Sequence, residues 1–451
     1  MAVSAEELGT EDIKKLLIKQ AAPASIGILF MSVNILVDTI FVGQWIGSLA
    51  IAAVTVVLPI TFFISSLGMA IGIGGGSVLS RALGAKNTEK AKVTFANQIM
   101  MTFFLASLFV LLGIFFSADM LLLFGAKGPI IKPATEFFTP IIISVPFLAL
   151  CMMGNNIIRA EGKAKFAMVA MIIPAFVNII LDIIFIKVMG LGMFGAALAT
   201  SISYFMCFLF VLWFFVYKSE LRLKIRHFKL HLPIIKEITE LSFVTFSRQG
   251  VVSILAIILN HTLYSYGGEH SIAVYGIISR MLMFALFPIL GITQGFIPIA
   301  GYNHGAQNYE RVKESIQISI KYAALLASLI FIFILYYATP IVSVFTTDPK
   351  VIAETPNALR WVFAASPIIA VQLIGAAYFQ AAGNAKKALL LTLSKQGFFL
   401  IPLVILLPNF FGIFGVWVAF PIADVLSTLL TGYFLRKEMT TKLIKTADEP
   451  L

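Results

Sequence analysis

Charge is scarce in this chain. Only 12% of its 451 residues are Asp, Glu, Lys or Arg, against 59% hydrophobic. A water-soluble protein of this length needs far more polar surface, so a dissolved globular enzyme is a poor reading. Cysteine is scarcer still: Cys151 and Cys207 are the only two, and both lie in apolar segments. That argues against a disulfide framework and against a thiolate metal site. No metal-ligand set is expected among the five histidines. No Gly-x4-Gly-Lys-Ser/Thr loop occurs, so direct drive by ATP is not expected. The opening residues, Met1 to Asp12, are mildly acidic and show no small-residue cleavage site. No removable signal peptide is expected there, and the first apolar segment should remain as a span. Acidic residues are the minority sign: 22 against 33 basic, a net charge of +11. The basic residues are scattered among short loops, which fits loops facing the cytoplasm better than a nucleic-acid surface.

What fills the chain is apolar runs of membrane length. A helix needs about 20 mostly apolar residues to cross a bilayer. The runs are continuous and do not alternate, which excludes a transmembrane barrel. Spans are expected at residues 14–41, 48–80, 94–117, 132–158, 166–188, 192–217, 236–266, 271–300, 314–338, 352–380, 387–408 and 411–435. The fold class is therefore an all-α integral membrane protein of about twelve transmembrane helices. Lys and Arg orient them. Arg81, Lys86, Lys90 and Lys92 follow the second span, and Arg159, Lys163 and Lys165 the fourth. Lys218, Arg222, Lys224, Arg226 and Lys229 follow the sixth, Arg311 and Lys313 the eighth, Lys386 and Lys387 the tenth. Arg436, Lys437, Lys442 and Lys445 close the chain. The loops Gly43 to Gly47 and Pro408 to Gly412 carry none. This alternation predicts both termini in the cytoplasm.

The chain repeats itself. Gly84-Ala85-Lys86-Asn87 returns as Gly305-Ala306-Gln307-Asn308, an offset of about 221 residues. The same offset carries Pro146 to Pro367, Gly154 to Gly375 and Gly162 to Gly383; one residue less carries Gly192 and Gly195 to Gly412 and Gly415. Two pseudo-symmetric six-helix lobes are expected, residues 1–217 and 236–451, joined by a cytoplasmic linker at 218–235. Parallel repeats of this kind are a plan of secondary transporters.

Ionisable groups at membrane depth are costly and mark function by default. Asp38 lies late in the first span and Asp182 in the fifth. Pro174, Asn178 and Asp182 share one helix face at i, i+4 spacing, and Thr200 follows in the sixth span. Two carboxylates, a carboxamide and a hydroxyl suit a proton or a hard cation such as Na⁺. The alternative is that they only hydrogen-bond helices together. Asp38 aligns near Ile258 or Leu259 in the second half and Asp182 near Leu403, so the repeat does not duplicate them. The second half instead places Arg248, Gln249, Arg280 and Lys395 at depth, with Asp424 able to pair with one of the cations. These are candidate cargo contacts, or long side chains that snorkel. Gly72-Ile73-Gly74-Gly75-Gly76 reads as close helix packing.

Several stretches in order, among them Ile35-Leu36-Val37-Asp38, Gly84-Ala85-Lys86-Asn87, Arg159-Ala160-Glu161-Gly162-Lys163-Ala164-Lys165, Asn260-His261-Thr262-Leu263 and Gly301-Tyr302-Asn303-His304-Gly305, resemble the MATE (multidrug and toxic compound extrusion) family. The resemblance covers nearly the whole chain. Within the family the chain is similar to the prokaryotic DinF-type branch, whose pattern Asp38, Asp182, Asn178, Thr200 and an early proline, Pro23, match. The resemblance implies export of organic, often cationic and aromatic compounds in exchange for inward H⁺ or Na⁺, with no cofactor, by a monomer embedded in the lipid bilayer. The same fold would also suit a flippase for a lipid-linked precursor, and a membrane-embedded enzyme is a more distant alternative without a visible catalytic cluster.

Overall fold

The computed structural model describes residues 5–346 and 348–443; Lys445 and the last residues of the expected second lobe lie outside them. Among the described residues every regular element is helical. The first six membrane-length helices are α1 (Ile13–Trp45), α2 (Ser48–Gly84), α3 (Thr88–Phe115), α4 (Ile131–Ala160), α5 (Ala164–Asp182) and α6 (Gly192–Tyr217). A continuous helical stretch, Leu232–Gly305, breaks once, at Gly268 (φ 65°, ψ −163°), into α7 (232–267) and α8 (269–305). Only glycine adopts that backbone without strain, and one such residue suffices to turn the chain. Then follow α9 (Tyr309–Phe345), α10 (Pro349–Ala381, interrupted by a short 3-10 turn), α11 (Ala385–Phe411) and α12 (Ile413–Thr441). These are the twelve spans expected from the apolar runs.

The two halves repeat at the level of backbone detail. Lys86 and Gln307, equivalent in the repeat, both have left-handed φ, 57° and 58°. The asparagine after each caps the next helix: Asn87 Oδ1 accepts from Lys90 N at 2.9 Å, and Asn308 Oδ1 from Arg311 N at 3.3 Å. Such caps satisfy backbone donors that the helix start leaves unpaired. Gly154 on α4 and its equivalent Gly375 on α10 both let a neighbouring helix close in. A Cβ on Gly154 would lie 2.6 Å from Val211 Cγ1 on α6, and one on Gly375 would collide with Thr431 Cγ2 on α12. Gly154→Ala and Gly375→Ala are therefore expected to destabilise by about 1–3 kcal/mol each through overpacking. The check is a lowered melting temperature of the purified protein, and an unchanged or higher value for both would contradict this packing.

Each half forms a compact unit, but the boundary does not fall in the linker. One unit comprises residues 5–7 and 26–245, the other residues 8–25 and 246–443. The start of α1 thus belongs with the second half, and the start of α7 with the first, a reciprocal arrangement that differs from lobes expected at 1–217 and 236–451. Local contacts account for it. In the second unit Asn303 Nδ2 donates to Leu8 O at 2.9 Å, Arg311 Nη2 to Glu11 O at 2.6 Å, and the Ser25 hydroxyl to Pro288 O at 3.4 Å. A Cβ on Gly295 would lie 2.7 Å from Ala21 N, so glycine there admits the backbone of α1. In the first unit the equivalent Gly74 admits α7, where a Cβ would lie 2.5 Å from Ser242 Oγ. Arg81 pairs with Glu237 at 2.7 Å beside it. The glycine-rich run of α2 serves packing as expected, with Gly72 facing Met153 Cα of α4 and Gly75 facing Gln98 of α3.

The linker is seated on the first unit. Glu161, fully buried in the turn after α4, accepts the Ser219 hydroxyl at 2.6 Å and Glu220 N–H at 3.3 Å. Lys163 Nζ donates to Lys218 O at 2.7 Å and lies 3.8 Å from Glu161. Asn97 of α3 holds Lys229 O and His231 N.

Candidate functional site

Three helices of the first unit each present two polar side chains one turn apart: Asn34 and Asp38 on α1, Asn178 and Asp182 on α5, Thr200 and Tyr204 on α6. The i, i+4 spacing stacks each pair on one face. Asn178 and Asp182 are buried, at 2% and 0% exposure, while Asp38 and Thr200 are partly so. Asp38 and Asp182 are close enough for each to act on the other's charge. Asn178 Nδ2 donates to Thr200 Oγ1 at 3.3 Å, and that hydroxyl donates to Ala196 O at 3.1 Å. Tyr204 is close enough to Asp38 to feel its charge. Immediately after Asp182 the helix widens into a π turn, Ile183–Val188. Such turns often stand at functional positions.

The hydrogen-bond inventory of this cluster is lopsided. Asn34 Oδ1, Asp38 Oδ1 and both carboxylate oxygens of Asp182 are buried and receive no hydrogen bond from any described residue. Buried acceptors in folded proteins nearly always have a donor. No Lys or Arg forms an ion pair with either carboxylate among the described residues; Lys187 of the adjoining π turn lies over the Trp45 ring, 5.4 Å from its centroid. Two facing carboxylates repel each other in a medium of low dielectric. A proton on one would bridge to the other, and a small cation between them would use the same oxygens. The arrangement can therefore take up and release one positive charge.

All four residues expected to form this site come together. Two members were not anticipated, Asn34 and Tyr204, although each stands one helical turn from an anticipated residue. Pro23 lies in α1, two residues before that helix passes from the second unit to the first.

The second-half candidates do not form one cluster. Lys395 Nζ lies 2.6 Å from Asp424 Oδ1, so Asp424 pairs with this cation of the three. Arg280 is exposed and Arg248 partly exposed, and neither makes an ion pair with a described residue. Gln249 is exposed on α7. Cys151 and Cys207 are free thiols bonded to the carbonyls of Tyr204 and Ala170.

Comparison with known proteins is consistent over the full length. A family model described as MatE matches residues 23–184 and 248–406, the two repeats in turn. A multidrug export protein MepA of Staphylococcus haemolyticus is 27% identical over 432 residues, 95% of each chain. A crystal structure of a MATE protein in the bent conformation superposes with a TM-score of 0.93 at 25% identity, covering 99% of both chains. A MOP superfamily transporter from Pyrococcus furiosus, whose reversed binding-pocket polarity suggests a different function, gives 0.91 at 26% identity over 99% of this chain and all of that one. With a twelve-helix repeat and a family match across both halves of it, the chain belongs to the MATE family of membrane transporters.

Proposed function

We propose that the protein is a secondary active multidrug exporter of the DinF-type branch, which expels organic, often cationic and aromatic compounds in exchange for inward H⁺ or Na⁺. The observation that carries the coupling half of this reading is the set of buried oxygens on Asn34, Asp38 and Asp182 that receive no hydrogen bond from a described residue. The export half is supported by the MepA relatives, which align with this chain nearly end to end. Asp38 and Asp182 hold the coupling ion; Asn178 and Thr200 supply neutral oxygens when that ion is Na⁺. Arrival of a cation removes the repulsion between α1 and α5 and lets the two helices draw together. An ion shifts a conformational equilibrium only by its differential affinity for the two states. α1 is the element through which this difference acts, since it carries Asp38 in one unit and its own start in the other. Pro23 lacks an N–H, so bending at that point costs one hydrogen bond fewer than elsewhere in the helix. The protein works as a monomer without a cofactor, with both termini in the cytoplasm.

Transport into everted membrane vesicles tests the proposal, with ethidium as cargo. An imposed H⁺ or Na⁺ gradient alone should drive accumulation at least several-fold above vesicles lacking the protein, and collapsing that gradient should release the dye. Accumulation that needs ATP and ignores both gradients would overturn it.

A further inference from the structure

The second unit holds a partly open cavity that plays no part in the carboxylate cluster of the first. Its volume is about 170 Å³, and Leu255, Tyr275, Phe363 and Phe420 are among its walls. One side is charged. Lys395 and Asp424 meet there at 2.6 Å, with side-chain exposures of 19% and 5%. Lys395 stands in a second π turn, Ser394–Leu400 of α11, a wide turn of the kind that re-aims side chains at functional positions. Stability is a weak reason for the pair, since well-packed apolar residues often replace a buried ion pair at no cost.

The pair neutralises itself, and that determines what it can recognise. For a ligand of either charge, one partner attracts and the other repels at almost the same distance. For an uncharged ligand with a donor beside an acceptor, both partners help: the carboxylate accepts and the ammonium donates. Size narrows the class further. An apolar cavity of roughly 150 Å³ holds one benzene molecule, so this cavity has room for a single ring. We propose that the second unit carries a binding site for uncharged, single-ring aromatic compounds bearing a hydroxyl or amide group. Asp424 accepts from the ligand's O–H or N–H, and Lys395 donates to its oxygen. The alternative is that the pair only fastens α11 to α12.

The test uses the purified full chain in detergent at neutral pH, with 4-fluorophenol, 4-fluorobenzoate and 4-fluorobenzylammonium as probes. Binding is read by fluorine NMR against micelles alone. The wild type should bind the phenol saturably and about tenfold more tightly than either ion. Asp424→Asn leaves the ammonium unopposed and should move the preference about tenfold toward benzoate. Lys395→Gln should move it as far toward the benzylammonium ion. Ala256→Phe, at an exposed point of the cavity wall, keeps the pair and fills the space, so saturable phenol binding should vanish. This variant covers the case in which a charge variant fails to fold. The proposal fails if the wild type binds no phenol beyond the micelle blank. It also fails if Ala256→Phe binds phenol normally, or if folded charge variants keep the wild-type preference. Because the readout is binding, its failure leaves the efflux reading untouched, and a failure of gradient-driven transport leaves this site standing.

Discussion

Asp38→Asn and Asp182→Asn are each expected to reduce gradient-driven efflux to the level of vesicles without the protein, while the chain still inserts and folds. The carboxamide keeps the size of the side chain but removes the negative charge and the site for a transferable proton. With one carboxylate gone the repulsion between α1 and α5 is gone as well, whether or not an ion is present. The gradient then has no repulsion to relieve, because facing like charges are absent from both loading states. Thr200→Ala separates the two ions: it removes a neutral oxygen that Na⁺ would use and a proton would not. A several-fold loss of the Na⁺ response with the H⁺ response retained identifies this hydroxyl as a ligand of Na⁺. The measurement is initial efflux rate under each imposed gradient, normalised to protein in the membrane. Normal gradient-dependent rates in the Asp38→Asn, Asp182→Asn double variant would place coupling elsewhere and leave the acids as packing groups.

A second large effect is expected far from that site, in the turn after α4. Burial pushes the Glu161 carboxyl up to about 7, against the ordinary 4.5, although Ser219, Lys163 and the Glu220 N–H favour its charged form. The folded state therefore holds a proton that the unfolded state has lost between pH 4.5 and 7. Stability falls as pH rises through that window and is level above it with respect to this group. The span of the shift corresponds to about 3 kcal/mol. Glu161→Gln should lose this dependence, so the difference in melting temperature between wild type and variant should change across the window and then stay constant. Glu161→Ala should cost about 1–3 kcal/mol at pH 5, because it removes the acceptor of the Ser219 hydroxyl and the Glu220 N–H, while Lys163 keeps Lys218 O and the Glu220 carboxylate. A wild-type profile parallel to that of Glu161→Gln would mean that Glu161 is charged throughout.

Sequence reading reached the spans and the repeat because both rest on local signals. Apolar length sets the number of helices, and Asn87 and Asn308 announce their caps by type and position. Asp38, Asn178, Asp182 and Thr200 stood out because polar atoms in apolar segments are costly. Asn34 and Tyr204 did not, since an amide and a phenol are cheaper to bury and less conspicuous. The partner of Asp424 was open among three cations, because helical spacing says which face a residue occupies and not which helix lies opposite. The same limit explains the unit boundary. Nothing in the run from Ile13 to Trp45 marks Ser25 as the point where its neighbours change. That information resides in Gly295, Pro288 and Asn303, more than 260 residues away. The π turns after Asp182 and around Lys395 leave no trace in periodicity either.

The reciprocal placement of the two helix starts has a consequence for biogenesis. A ribosome emits roughly 5–20 residues per second. Ser25 must wait for Pro288, and Leu8 for Asn303, separations of 263 and 295 residues. The start of α1 therefore spends on the order of half a minute in the membrane without its final neighbours. Translation that ends at the linker leaves residues 8–25 unsatisfied and Gly74 and Arg81 bare of Ser242 and Glu237. Neither half of the chain, cut there, contains a complete unit, so the two fragments can mature only by being made together and exchanging their first turns.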